Sequence, residues 1–165
     1  MRSLIHDSDP SVAYLGFVRP GVGAIPPLAE LQSMLWSLLL IKQVPIPTSP
    51  PHYQLIVSKT ARIQHGVDHS AYSAQLANDC GASPSLLALY RERGLHVLAA
   101  FCLGASFVPF YRLTGPFASG AEMDNTIKGE IWETITRRGL LGNIFMGIVG
   151  RFRLRCALLT RCRFR

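Results

Sequence analysis

The apolar positions change period along the chain, and those changes predict its elements. Residues 12–18 (VAYLGFV) form an unbroken apolar run between Asp9-Pro10 and Pro20-Gly21. Length and aromatic content predict a buried strand there, with Val12 and Tyr14 in the core. A loop containing Gly21 and Gly23 follows. A helix then starts at Pro26-Pro27, where proline suits the first turn. Leu28, Leu31, Leu35, Leu38 and Leu39 recur at helical spacing and give it one apolar face. Glu30 near its start and Lys42 at its end suit the helix dipole. Residues 44–51 (VPIPTSPP) hold four prolines in eight positions and predict an extended linker. Residues 52–57 predict a short second strand.

A second helix is predicted from Asp68, a good N-cap, to Cys80, with Gly81 as its stop. A third starts at Ser83-Pro84 and ends at Arg93, before Gly94. Residues 95–111 carry no formal charge, but a spanning helix needs about 20 apolar residues. With His96, Gly104, Ser106 and Pro109 inside it, this stretch predicts a buried helix rather than a membrane span. A fourth helix runs from about Asp124 to Arg138, with Ile127, Ile131 and Ile135 on one stripe and Gly139 as its stop. Residues 140–150 are apolar and glycine-rich, too short to span but able to lie against a core or an interface. Leu76, Leu86, Val97 and Phe101 complete the predicted core.

Composition sharpens this picture. Hydrophobic residues are 48% and charged residues 16%, against about 25% charged in an average soluble domain. A disordered polar chain is excluded. The mean hydropathy of +0.23 implies a chain that is unusually buried, touches a membrane, or lacks something that should cover it. Of the net charge of +7, six charges are Arg151, Arg153, Arg155, Arg161, Arg163 and Arg165 in an acid-free tail. The body is nearly neutral, so no nucleic-acid partner is expected. In a strand, Arg151, Arg153 and Arg155 would share one face and could meet acidic lipid or nucleic acid, with a plain solvated tail as the competing reading. Cys80, Cys102, Cys156 and Cys162 form no CxxC pair, which leaves neither zinc nor redox spacing. Residues 1–10 lack the apolar core of an export signal, so the protein is expected not to be secreted and its thiols to stay reduced.

Two constellations could carry chemistry. A helix N-terminus after a glycine loop suits an anionic or electron-rich ligand edge, and glycine lets a flat cofactor approach the backbone. Gly21-Val22-Gly23 is nevertheless not a dinucleotide fingerprint, because the third glycine would fall at Pro26. A plain strand-to-helix connection is the competing reading. His65, Asp68 and His69 are spaced as metal ligands could be, but Gly66 interrupts a helix and Asp68 is better used as a cap. No metal site is predicted. There is no G-x-S-x-G elbow to support a hydrolase.

Residues 16–32 (GFVRPGVGAIPPLAELQ), followed by Trp36, resemble the C-terminal flavin-domain segment of the flavin-containing monooxygenases of the dimethylaniline monooxygenase type. Residues 65–82 (HGVDHSAYSAQLANDCGA), 110–117 (FYRLTGPF) and 128–143 (KGEIWETITRRGLLGN) resemble further stretches in the family's order. The resemblance implies a C-terminal fragment of an FAD- and NADPH-dependent α/β flavoprotein, lacking both Rossmann glycine motifs. It implies the last strand and helix of the FAD domain over 1–43, an irregular proline-rich segment over 44–64, a helical subdomain over 65–150 and a basic tail over 151–165. The expected fold is therefore mainly α with one or two β-strands. By resemblance, Val22, Gly23, Ala24 and Ile25 lie at the flavin ring edge, and no catalytic residue is assigned. The implied reaction oxygenates a soft nitrogen or sulfur nucleophile through a flavin hydroperoxide. This chain alone is expected to be poorly soluble, inactive and without bound FAD. The family contains cytoplasmic members and members attached to the endoplasmic reticulum. A membrane-associated accessory protein, using the apolar segments and the arginine tail, is the alternative. The chain departs from the family at Leu35, where an arginine is common, and in the prolines of residues 44–51.

Overall fold

A computed structural model describes residues 4, 6, 9, 11–20, 23–55, 65–139 and 141–143. Among these residues the chain is mainly helical with one two-stranded sheet, and it divides into two units. The first comprises Met1–Ser83 with Thr114–Ala118, the second Pro84–Leu113 with Ser119–Arg165.

The first unit is a pair of strand–helix connections. Strand β1 (Arg19–Pro20) leads through a loop to α1 (Ile25–Leu40), and β2 (Gly66–Val67) leads directly to α2 (His69–Asp79). The strands pair in parallel, Arg19 beside Gly66 and Pro20 beside Val67. The leucine stripe of α1 does what its spacing predicts: Leu28, Leu31, Leu35 and Leu38 are buried, together with Tyr72, Leu76 and Ala77 of α2. Burying each large apolar side chain contributes roughly 1.5–3 kcal/mol. Asp68 caps α2 by accepting the Ala71 N–H at 2.9 Å.

Both helices end in the same backbone motif. After α2, Gly81 (φ +68°) donates its N–H to the Asn78 carbonyl, and Ala82 donates to Ala77. After α1, Lys42 (φ +57°) donates to Leu39 and Gln43 to Leu38. This is the Schellman arrangement, which favours glycine at the left-handed position. Lysine there costs on the order of 1 kcal/mol more. Thus Lys42 is a left-handed cap residue beyond the last turn, rather than a cation within it.

The second unit packs α3 (Leu86–Leu103) on a helical run built from α4 (Gly120–Thr126), a π-turn (Ile127–Ile131) and α5 (Trp132–Arg137). A short 3-10 turn, Val108–Arg112, lies between them in sequence. Leu89, Val97, Ala100, Phe110, Leu113, Ile127, Ile131 and Ile135 form the core. The Arg93 guanidinium pairs with Asp124 at 3.5 Å and lies over Gly120, where a Cβ would come within 2.7 Å of it.

Several expectations are corrected. Residues 12–18 are not a buried strand: only Val18 is buried, while Val12, Tyr14, Leu15 and Phe17 are exposed. The left-handed Gly16 (φ +74°) breaks the strand's alternation. Sheet pairing instead falls on Arg19–Pro20. The second strand is Gly66–Val67; residues 52–55 are not strand, and 56 and 57 lie outside the described residues. Gly94 does not stop the third helix. It breaks it with one left-handed residue (φ +85°), after which the helix resumes to Leu103. Leu86 is exposed because it opens this helix, and Phe101 is half-buried against the core. The last helical run starts at Gly120, four residues before Asp124.

Candidate functional site

In parallel strand–helix units, ligands bind beyond the carboxyl ends of the strands, where helix N-termini converge. Here β1 and β2 run side by side in one direction, and α1 and α2 begin just beyond them. Gly23, Ala24 and Ile25 stand at this edge, at the entry to α1; Val22 lies outside the described residues. Gly23 has φ +120°, a conformation that L side chains rarely adopt. A Cβ there would lie 2.7 Å from His69 Cδ2 and 3.0 Å from its Cγ. The first residue of α2 therefore packs its ring directly on the loop that starts α1.

The donors of this edge are few and open. Ala24 takes the N-cap position in extended conformation, with no side chain to cap the helix. Pro26 and Pro27 contribute no N–H. The N–H groups of Gly23, Ala24 and Ile25 have no partner among the described residues, and all three residues are exposed. No acidic residue occupies the first turn, so nothing there repels an electron-rich ligand. His69 is half-buried, and burial lowers its pKa from the ordinary histidine value against the opposing pull of Asp68. Burial thus favours its uncharged form. Because its folded pKa is the lower one, protonation favours the unfolded chain, and stability falls as pH drops through the histidine range.

A buried polar link that the sequence reading missed holds this edge. Gln32 is fully buried on the leucine face of α1. Its Oε1 accepts the Gly16 N–H at 2.8 Å, and its Nε2 donates to the Tyr72 hydroxyl at 2.8 Å. One side chain thus ties the segment entering β1, α1 and α2 together. The signal was present: a glutamine one helical turn from both Leu28 and Leu35 sits where the pattern demands an apolar residue.

The remaining candidates separate. Asp68 is a cap and His69 a wall of the loop, and among the described residues no three His, Cys, Asp or Glu side chains gather as metal ligands. Burial, with Asp79 adding to it, pushes the Cys80 thiol up to about 12, while Cys102 is exposed. Cys156, Cys162, the arginine tail and residues 144–150 lie outside the described residues. Among those described, no helix is long and apolar enough to cross a membrane.

The chain is similar to three fungal proteins named monooxygenase. It is 40% identical over 148 residues to cfoE of Aspergillus candidus, across 84% of this chain and 25% of that protein. It is 40% identical over 139 residues to PC-14 of Penicillium crustosum, across 83% of this chain and 24% of that protein. The 4-hydroxybenzoate brominase (decarboxylating) of Pseudoalteromonas luteoviolacea (strain 2ta16) is 28% identical over 116 residues, across 64% of this chain and 22% of that protein. The chain spans about a quarter of the length of these curated relatives. No family model and no solved structure matches it.

Proposed function

We propose that this chain is one part of a flavin-dependent monooxygenase of the flavin-containing type, and that the loop through Val22, Gly23, Ala24 and Ile25 meets the ring edge of its FAD. The observation that carries this reading is the match, over most of the chain, to a quarter of the fungal monooxygenases. The residues present suit the group. Gly23 carries no side chain, with His69 packed where a Cβ would stand, and the N–H groups of Gly23, Ala24 and Ile25 have no partner among the described residues. The α1 N-terminus favours electron density on the pyrimidine edge. The flavin would supply oxygen activation, with NADPH as reductant and a soft nitrogen or sulfur compound as acceptor. This chain's residues bind and orient: Gly23, Ala24 and Ile25 donate, His69 backs the loop, and Gln32 fixes its approach.

The test replaces the aligned quarter of the Aspergillus candidus monooxygenase with this chain. The folded chimera is expected to hold flavin and to consume oxygen with NADPH. Gly23→Val forces a side chain into φ +120° and against His69. With about 1–3 kcal/mol of strain, it should weaken flavin retention by roughly tenfold or more. A folded chimera without flavin, beside a flavin-loaded parent, refutes the reading.

A further inference from the structure

Backbone pairing brings His69 to Gly23. Arg19 donates its N–H to the His65 carbonyl at 3.0 Å, and Arg19 and Pro20 pair with Gly66 and Val67. The backbone of His69 is fixed on both sides. Asp68 caps α2 through the Ala71 N–H, and the His69 carbonyl accepts the Ser73 hydroxyl at 2.7 Å. Its ring is held differently. Neither ring nitrogen has a hydrogen-bond partner among the described residues. The ring stays in place by packing, on the side of Gly23 that a Cβ would occupy.

A proton on that ring finds little to balance it. The N-terminal ends of α1 and α2, each with partial positive charge, both start here. Gly23, Ala24 and Ile25 carry no charge, and the first turn of neither helix holds an acidic residue. Among the described residues Asp68 is the charged group that acts on the ring; Arg19 on β1 and His65 before β2 do not. The pull of Asp68 is weaker than the burial that opposes it.

We propose that His69 is the positioning residue of the flavin loop and makes flavin binding sensitive to pH: the neutral ring backs Gly23 at φ +120°, and a protonated ring leaves Gly23 for water and frees the loop. The inference rests on the function proposed above. Proton and flavin then compete through one loop, and each weakens the binding of the other by the same factor. Oxidised flavin carries no formal charge on its ring, so it offers the proton no compensation.

The experiment uses the chimera described above with oxidised FAD, between about pH 8 and about pH 5. Fluorescence reads flavin release, and NMR with isotope-labelled glycine reads the Gly23 amide. FAD affinity is expected to fall about fivefold or more across this range. The fall is centred below the ordinary histidine value, the Gly23 amide shifts with it, and bound FAD moves the midpoint lower still. His69→Phe keeps a ring that cannot take up a proton, and should abolish the fall. His69→Ala removes the ring, and should bind FAD weakly at both ends of the range. If His69→Phe fails to fold, the midpoint shift on adding FAD to the unsubstituted chimera decides. FAD held with the same pH profile before and after His69→Phe, or a Gly23 amide that does not follow His69, overturns the role of His69 and leaves the functional reading standing. A folded chimera that takes up no FAD at any pH overturns both.

Discussion

Replacing Gln32 by leucine is expected to destabilise the first unit by about 2 kcal/mol, although the substitution looks harmless on a leucine-rich helix. Leucine fits the apolar surroundings but removes both hydrogen bonds of the amide. The Gly16 N–H loses its acceptor, and the Tyr72 hydroxyl loses its Gln32 donor beneath a ring that is fully buried. Leaving a polar group without its partner costs about 1–3 kcal/mol, more than the transfer of a slightly more apolar side chain returns. Tyr72→Phe in the leucine background should then cost less than in the native chain, because one partner is already gone. Urea unfolding with Trp132→Phe in the background leaves Trp36, on α1, as the reporter. A Gln32→Leu loss below about 0.5 kcal/mol, or strict additivity with Tyr72→Phe, contradicts the link.

Phe110→Ala should cost still more, about 3–5 kcal/mol, by emptying the middle of the second unit. Phe110 is 1% exposed, meets Phe101 edge-on at 5.4 Å and has Phe107 tilted at 6.4 Å. Gly104 lies over the same ring: a Cβ there would be 3.4 Å from Phe110 and 3.4 Å from Ile135. A neighbour already in contact on that side cannot collapse far into the vacancy, so the cavity persists. Phe110→Leu, which keeps most of the volume, should cost less than half as much. Trp132, packed edge-on to His96 at 4.3 Å, reports this unit in a Trp36→Phe background. Equal losses for alanine and leucine would show that volume is not what Phe110 contributes.

Local chemistry in the sequence predicted local structure well. The leucines of α1, the Asp68 cap and the Gly81 stop each depend on neighbours within one or two turns, and each stands where expected. Gly94 shows the limit of that reasoning. A left-handed glycine ends a helix only if the next residues cannot resume one, and residues 95–103 can. Residues 12–18 show a second limit. An apolar run signals surface that favours burial, not which element buries it, and here Val12, Tyr14, Leu15 and Phe17 stay exposed. The glycine loop ahead of α1 was legible as a loop. Its contact with His69 was not, because it joins positions 46 residues apart through the pairing of two-residue strands too short to leave a pattern. Gln32 was not singled out, although a polar residue within an apolar stripe is itself the clue.

Hydrogen–deuterium exchange on the flavin-loaded chimera, compared with the same protein stripped of flavin, tests the flavin-edge assignment most directly. Pro26 and Pro27 carry no amide hydrogen, so Gly23, Ala24, Ile25 and Leu28 are the reporters at the start of α1. If the ring edge lies on this loop, bound flavin slows exchange at Gly23, Ala24 and Ile25 by about tenfold or more, the protection a hydrogen bond worth roughly 1.4 kcal/mol confers. If exchange at these three amides is the same with and without flavin while amides elsewhere in the chimera respond, the flavin binds away from this loop and the assignment is wrong.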